Sequence, residues 1–123
     1  NTIENSPHII ELIMSPESLR EHFVWSDITI SASGLTKYEL AVTGTPSILF
    51  SIDKNHNQIN KFFTDVSGFL DIGVGINKSL LNRETLRLLN SNQLRKDFSK
   101  KSQTLIDGNG CLRIVNSISE KLK

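Results

Sequence analysis

The sequence predicts a single α+β domain in which two helices pack on an antiparallel sheet. Three observations lead to this fold class. The chain has 123 residues, of which 37% are hydrophobic, and this is enough for one domain with a buried core. Short segments of alternating polarity follow one another closely, as strands of an antiparallel sheet do. Two other segments combine helix-start signals with apolar residues three or four positions apart, which indicates amphipathic helices.

The N-terminal part is predicted to contain a strand followed by a helix. Residues 8–14 form an apolar run that fits a buried strand. Ser15 can act as an N-cap, Pro16 suits the first helical position, and Glu17 favours the positive end of the helix dipole. The sequence therefore predicts a helix over residues 15–25.

Three further strands are predicted in the middle of the chain. Residues 28–32 and 38–42 alternate apolar and polar side chains, and Gly34 marks the turn between them. Residues 44–46 break the pattern, because a proline cannot donate a hydrogen bond to a central ladder. Residues 47–52 then predict the third of these strands.

The second half is predicted to contain a helix and a closing hairpin. Residues 62–76 are apolar but interrupted by glycines, so no regular element is assigned to them. Asn82 can cap a helix that carries Arg83 and Arg87 four positions apart. Residues 103–118 predict a β-hairpin, because the Asp-Gly and Asn-Gly steps near its centre tolerate the positive φ of tight turns.

Charge is unevenly distributed although the formal net charge is only +1. Residues 1–60 contain 3 basic and 7 acidic side chains, whereas residues 61–123 contain 11 basic and 6 acidic ones. Six of these 11 basic side chains lie between Arg83 and Lys101. We expect a negatively charged partner to prefer this stretch, and the alternative is a solvated helix face.

Signals for catalysis, metals and cofactors are absent from the sequence. The single cysteine, Cys111, excludes an internal disulfide and any multi-cysteine zinc site. His8, His22 and His56 lie in different predicted elements without partners at ligand spacing. The two Gly-x-Gly sequences lack the residues that complete a phosphate-binding loop. We therefore expect no enzymatic activity, no cofactor and no metal.

Two further expectations concern the chain as a whole. Because it begins with Asn1 and not Met, we expect residues 1–123 to be one domain cut from a longer protein. No apolar run approaches the roughly 18–20 residues needed to cross a bilayer, so we expect no membrane partner.

The order of the predicted elements and several short strings together resemble one domain of a DNA sliding clamp. The likeness is greatest to the checkpoint clamp subunits of DNA-damage signalling and to proliferating cell nuclear antigen, and it covers residues 9–118. The strings that carry it are residues 13–14, 17–21, 28–31, 38–40 and 106–114. The resemblance implies two β-α-β-β-type units, helices that line a channel for duplex DNA, and further clamp domains or subunits that complete the ring.

The same resemblance implies a non-enzymatic scaffold for DNA repair or checkpoint signalling in the nucleus. The side chains that it places against DNA are basic, and their contacts to phosphate are independent of base sequence. They are Arg20, Arg83, Arg87, Arg95, Lys96, Lys100 and Lys101. Two other classes stay open at this point. One is a protein-binding adaptor similar to the chaperones of bacterial secretion systems, and the other is a thioredoxin-like domain without redox cysteines.

Overall fold

A computed structural model describes residues 5–122 and contains one sheet of three parallel strands together with six helices. In chain order the elements are α1 (Arg20–Trp25), β1 (Thr29–Ala32), α2 (Thr36–Thr43), β2 (Ser47–Ser51), α3 (Lys54–Ser67), β3 (Leu70–Val74), α4 (Lys78–Leu89), α5 (Asn92–Leu105) and α6 (Gly110–Lys121). None of the helices in this described part is long and apolar enough to cross a membrane.

The predicted antiparallel sheet with two β-α-β-β-type units is wrong, because all three strands run in the same direction. Their order is β1-β2-β3, with Ile30 opposite Ile48 and Ile48 opposite Leu70. Parallel neighbours need a long crossover connection, and α2 and α3 supply the two crossovers. Strands β1 and β2 confirm the strand predictions at residues 28–32 and 47–52, so the error lies in what connects them.

The predicted strand at residues 38–42 is the helix α2. Lys37, Leu40 and Ala41 are its buried residues, and positions i, i+3 and i+4 share one face of a helix. Five residues of alternating polarity fit a strand and a short helix about equally well. Because this segment is helical, it carries the chain back across the sheet and makes the next strand parallel.

The N-terminal predictions are also corrected. Residues 8–14 contain no strand, and their apolar side chains are exposed. Helix α1 ends at Trp25 as expected but begins at Arg20, five residues later than predicted. The N-cap position is occupied by Leu19, so Ser15 lies four residues before it and does not cap the helix.

The stretch without an assignment, residues 62–76, holds the end of α3 and the whole of β3. Gly68 ends α3 with a φ of 81°, a left-handed conformation that favours glycine. The next helix, α4, begins earlier than predicted, because its N-cap is Asn77 and not Asn82. The Oδ1 atom of Asn77 accepts a hydrogen bond from the backbone N–H of Leu80 at 3.0 Å.

The predicted hairpin at residues 103–118 is wrong, because this segment forms the end of α5 and most of α6. The turn itself is present. Gly108 has a φ of 76°, and the carboxylate of Asp107 accepts a hydrogen bond from the backbone N–H of Asn109 at 3.0 Å. The turn connects two helices instead of two strands, since Asp-Gly steps serve both kinds of connection.

Two apolar clusters form the core, and both include residues of β2. The first contains Phe23, Leu40, Ala41, Leu49, Phe63 and Phe69. The second contains Ile48, Ile72, Leu88 and Phe98. Ile48 and Leu49 are both 0% exposed, and neighbouring residues of a strand point to opposite faces. Strand β2 is therefore covered on both faces, as is typical of the central strand of a parallel sheet.

The end of α2 is fixed by a glycine that packs closely against α5. Gly44 has a φ of 73°, its N–H donates to the carbonyl of Ala41, and the N–H of Thr45 donates to the carbonyl of Leu40. These are the two hydrogen bonds of a Schellman motif. A Cβ atom at Gly44 would lie 2.6 Å from Oγ of Ser99, so only glycine fits here without displacing α5 side chains.

Candidate functional site

A cavity of about 470 Å³ lies between α2 and the segment that leads into α1. This volume is within the range of about 300–1,000 Å³ that is usual for small-molecule sites. Its walls combine charged, hydroxyl and apolar side chains. They are Pro16, Glu17, Ser18, Leu19, Arg20, Phe23, Glu39, Val42 and Thr43.

Hydrogen bonds and core packing hold the two walls of this cavity together. Phe23 of α1 is buried in the first core cluster, where it packs with Leu40 of α2. The hydroxyl of Thr45 donates to the carbonyl of Phe23 at 2.7 Å, and it is also 2.9 Å from the hydroxyl of Thr43. The position of α1 relative to the end of α2 is therefore well defined.

The charged groups of the cavity come from both walls. Glu17 and Arg20 belong to the α1 side, Glu39 belongs to α2, and all three side chains are exposed. Within residues 5–122 none of them takes part in an ion pair. Carboxylates accept hydrogen bonds from hydroxyl groups, and a guanidinium donates to hydroxyl or phosphate oxygens. The cavity therefore suits a polar ligand that carries several hydroxyl groups.

A buried polar network lies behind this cavity, on the other side of α2. The Nζ atom of Lys37 donates to Oδ1 of Asn60 at 3.2 Å, and Nδ2 of Asn60 donates to Oγ of Ser51 at 3.0 Å. Lys37 is 4% exposed, and Asn60 and Ser51 are 0% exposed. The Nζ atom also lies 5.3 Å from the ring centre of Tyr38 and 5.6 Å from that of Phe63.

The Lys37 side chain has no carboxylate partner among residues 5–122. Burial lowers its pKa from the usual value of a lysine, because the charged form loses hydration. One amide oxygen and two aromatic rings are the groups that stabilise the ammonium here. The hydroxyl of Ser33, at the end of β1, is also buried, and it has no hydrogen-bond partner among the described residues.

Two of the basic residues predicted to contact DNA pair with an acidic side chain of their own helix. Arg83 and Arg87 both pair with Glu84, at 2.8 Å from Nη2 of Arg83 and 3.2 Å from Nη1 of Arg87. Glu84 is itself only 7% exposed. These two guanidinium groups therefore neutralise a buried carboxylate on their own helix.

A third predicted basic residue, Arg95, also has a local structural role. The Nη1 atom of Arg95 donates to the carbonyls of Leu88 and Leu89, at 2.6 and 3.0 Å, and so satisfies the end of α4. Arg20 lies at the cavity described above. The remaining ones are exposed on α5, namely Lys96, Lys100 and Lys101. Contact of any of these side chains with a ligand stays a prediction.

Arg20 of the cavity was predicted from the sequence, though as a DNA contact, whereas the cavity's two carboxylates and the buried network were not predicted. Glu39 was predicted to lie in a strand, and Glu17 was not predicted to bind a ligand, whereas both carboxylates line the cavity. The i, i+3, i+4 spacing of Lys37, Leu40 and Ala41 was the signal that could have revealed α2. Metal-ligating clusters of three or more His, Cys, Asp or Glu side chains do not occur in the part of the chain that the structure covers.

Comparison with known proteins gives one informative similarity. The chain is 32% identical over 95 residues to the spore coat polysaccharide biosynthesis protein SpsG of Bacillus subtilis (strain 168). The matched region covers 73% of this chain but only 27% of that protein, so the chain spans about a quarter of its relative's length. No protein family matches the chain, and no solved structure matches it.

This similarity corrects the functional predictions. The relative is named for polysaccharide biosynthesis, so the sliding-clamp resemblance is wrong, and with it the scaffold role in DNA repair, the DNA-damage function and the partnership with duplex DNA or other clamp subunits. The adaptor or secretion-chaperone alternative is not supported either. The relative is bacterial, so the nuclear localisation is also wrong. Since it is a biosynthesis protein, it gives no support to the expectation that the chain has no enzymatic role.

Proposed function

We propose that the chain is part of a polysaccharide-biosynthesis enzyme and that the cavity between α1 and α2 binds its activated sugar substrate. The similarity to SpsG supports the biosynthetic role. The observation that carries the assignment to this cavity is that Glu17, Arg20 and Glu39 line its two facing walls and form no ion pair within residues 5–122.

The chemistry of the cavity favours a sugar nucleotide, the common activated form of a sugar. Such a ligand presents hydroxyl groups as donors, phosphate oxygens as acceptors and an apolar ring face. Glu39 and Glu17 would accept hydrogen bonds from hydroxyl groups, and Arg20 would donate to phosphate. Leu19 and Val42 would pack against the ring.

Isothermal titration calorimetry with a panel of ligands tests this proposal. The panel contains UDP-glucose, dTDP-glucose, GDP-mannose and free glucose, and we expect at least one sugar nucleotide to bind more tightly than glucose. The substitution Glu39→Gln keeps the size of the side chain but removes its charge. We expect it to weaken binding by at least about tenfold, since hydrogen bonds to charged groups contribute about 1.5–3 kcal/mol.

A matched control is Glu120→Gln, which makes the same change on the exposed surface of α6, away from the cavity. This control should bind like the parent chain. If no sugar nucleotide binds, or if Glu39→Gln and Glu120→Gln both bind like the parent, the assignment of the cavity is refuted.

A further inference from the structure

The network of Lys37, Asn60 and Ser51 connects three elements by hydrogen bonds between buried side chains. Lys37 belongs to α2, Asn60 to α3, and Ser51 is the last residue of β2. The backbone carbonyl of Ser51 accepts a further hydrogen bond from the N–H of Gly75, which follows β3. The network therefore links α2 to the C-terminal ends of β2 and β3.

Lys37 and Glu39 project from nearly opposite sides of α2. They are two positions apart, which corresponds to a rotation of about 200° around the helix axis. Lys37 reaches Asn60 on α3, and Glu39 lines the cavity on the α1 side. Any rotation or sliding of α2 that moved Lys37 away from Asn60 would therefore also move the carboxylate of Glu39 within the cavity.

If position 37 served only for packing, a lysine would stabilise the fold less than an apolar side chain of similar length. Burial of an ammonium group without a carboxylate partner is unfavourable, and an apolar chain of similar length would avoid that cost. Apolar contacts are tolerant of small shifts, whereas a hydrogen bond to one amide oxygen fixes both distance and direction. The amide of Asn60 is itself held by its hydrogen bond to Ser51, so the acceptor is rigid.

We propose that Lys37 is a positioning residue, whose hydrogen bond to Asn60 fixes α2 against α3 so that Glu39 is held in its binding orientation. This inference rests on the proposed function for the importance of Glu39 as a ligand contact. Lys37 acts through the helix and does not itself touch the ligand.

The test compares Lys37→Met, Asn60→Leu, the double variant and Lys37→Arg in the 123-residue chain. The sugar nucleotide that binds most tightly in the calorimetric panel is the probe, and the carboxylate ¹³C resonance of Glu39 reports its surroundings without any ligand. We expect Lys37→Met to weaken binding by about tenfold, since small misplacements of a contact group have large effects, and to shift the Glu39 resonance. Lys78→Met, an exposed change of the same kind on α4, should do neither.

The double variant separates positioning from stability. Replacing both partners of a buried hydrogen bond by apolar groups often restores stability, because no polar atom is left unsatisfied. We expect Lys37→Met with Asn60→Leu to recover the unfolding midpoint but neither the affinity nor the parental Glu39 resonance. Lys37→Arg can still donate a hydrogen bond to Asn60, so we expect its affinity and its Glu39 resonance to lie between those of Lys37→Met and the parent chain.

Two results would overturn the inference. In one, the double variant regains affinity and the Glu39 resonance together with stability. In the other, Lys37→Met leaves the Glu39 resonance unchanged. Failure of the proposed function looks different, because then Glu39→Gln does not alter binding while the effect of Lys37→Met on the Glu39 resonance persists.

Discussion

Replacement of Gly44 by alanine should destabilise the protein strongly, and the structure gives the size of the effect. The φ of Gly44 is 73°, and an L-residue in the left-handed region costs about 1–2 kcal/mol. The new Cβ would lie 2.6 Å from Oγ of Ser99 and 2.7 Å from Cδ of Gln103, both on α5. Forced overpacking of this kind costs typically about 1–3 kcal/mol.

Together the two effects predict a loss of about 2–5 kcal/mol in the free energy of unfolding. Urea denaturation followed by far-ultraviolet circular dichroism measures this loss, because most of the elements that would unfold are helices. The slope of the transition should stay the same, since the amount of surface exposed on unfolding does not change.

Gly34→Ala is the matched control for this experiment. Gly34 has no positive φ, and a Cβ there would meet no atom within 4 Å. We expect this variant to unfold within about 1 kcal/mol of the parent. The reasoning is refuted if Gly44→Ala is as stable as the parent chain, or if Gly34→Ala loses as much stability as Gly44→Ala.

Two further predictions concern ion pairs. Glu84→Ala should lower the free energy of unfolding by about 1–3 kcal/mol, because it removes a buried hydrogen-bonded carboxylate. Arg83→Ala should lower it by less than about 1 kcal/mol, because the Arg83 side chain is 71% exposed. Urea titrations check both, and equal losses would contradict the assigned roles. Hydrogen bonds from Arg113 and from the N–H of Asn109 hold the pKa of Asp107 well below its ordinary value. This stabilisation is complete above about pH 4 and is lost as the pH falls toward the lowered pKa. We therefore expect Asp107→Asn to make the helicity of α6 less sensitive to acid. An acid profile identical to that of the parent chain would contradict this prediction.

The sequence contained enough information for two of the three strands. Residues 28–32 and 47–52 are rich in β-branched and aromatic side chains, and the structure has strands at both places. The direction of the strands was not predictable in the same way. It depended on whether residues 38–42 were helix or strand, and a segment of five residues carries too little periodicity to decide.

The hairpin error has a different physical origin. The Asp-Gly step was correctly associated with a turn of positive φ, and Gly108 has a φ of 76°. A turn residue fixes the conformation of its own position but not of the segments that it joins. The flanking segments are the end of α5 and most of α6, so the turn residues on which the hairpin prediction rested did not determine the structure on either side of them.

The candidate site was less predictable than the fold. Glu17 and Arg20 are three positions apart, but Glu39 follows 19 positions after Arg20 and shares no motif with them. Only the packing of α1 on α2 brings it to the same cavity. The pairing of Lys37 with Asn60 spans 23 positions and depends equally on tertiary structure. The basic stretch misled the functional reasoning, because a sequence does not reveal that Glu84 neutralises Arg83 and Arg87.

The central place of β2 in the sheet determines how the chain can fold. Thr29 pairs with Ser47, 18 positions later, and Ile48 pairs with Leu70, 22 positions later, so each pairing must close a loop of that length. Neither β1 nor β3 has another strand to pair with among residues 5–122. Both pairings therefore depend on the five residues of β2. The sheet can form only by adding β1 to one edge of β2 and β3 to the other.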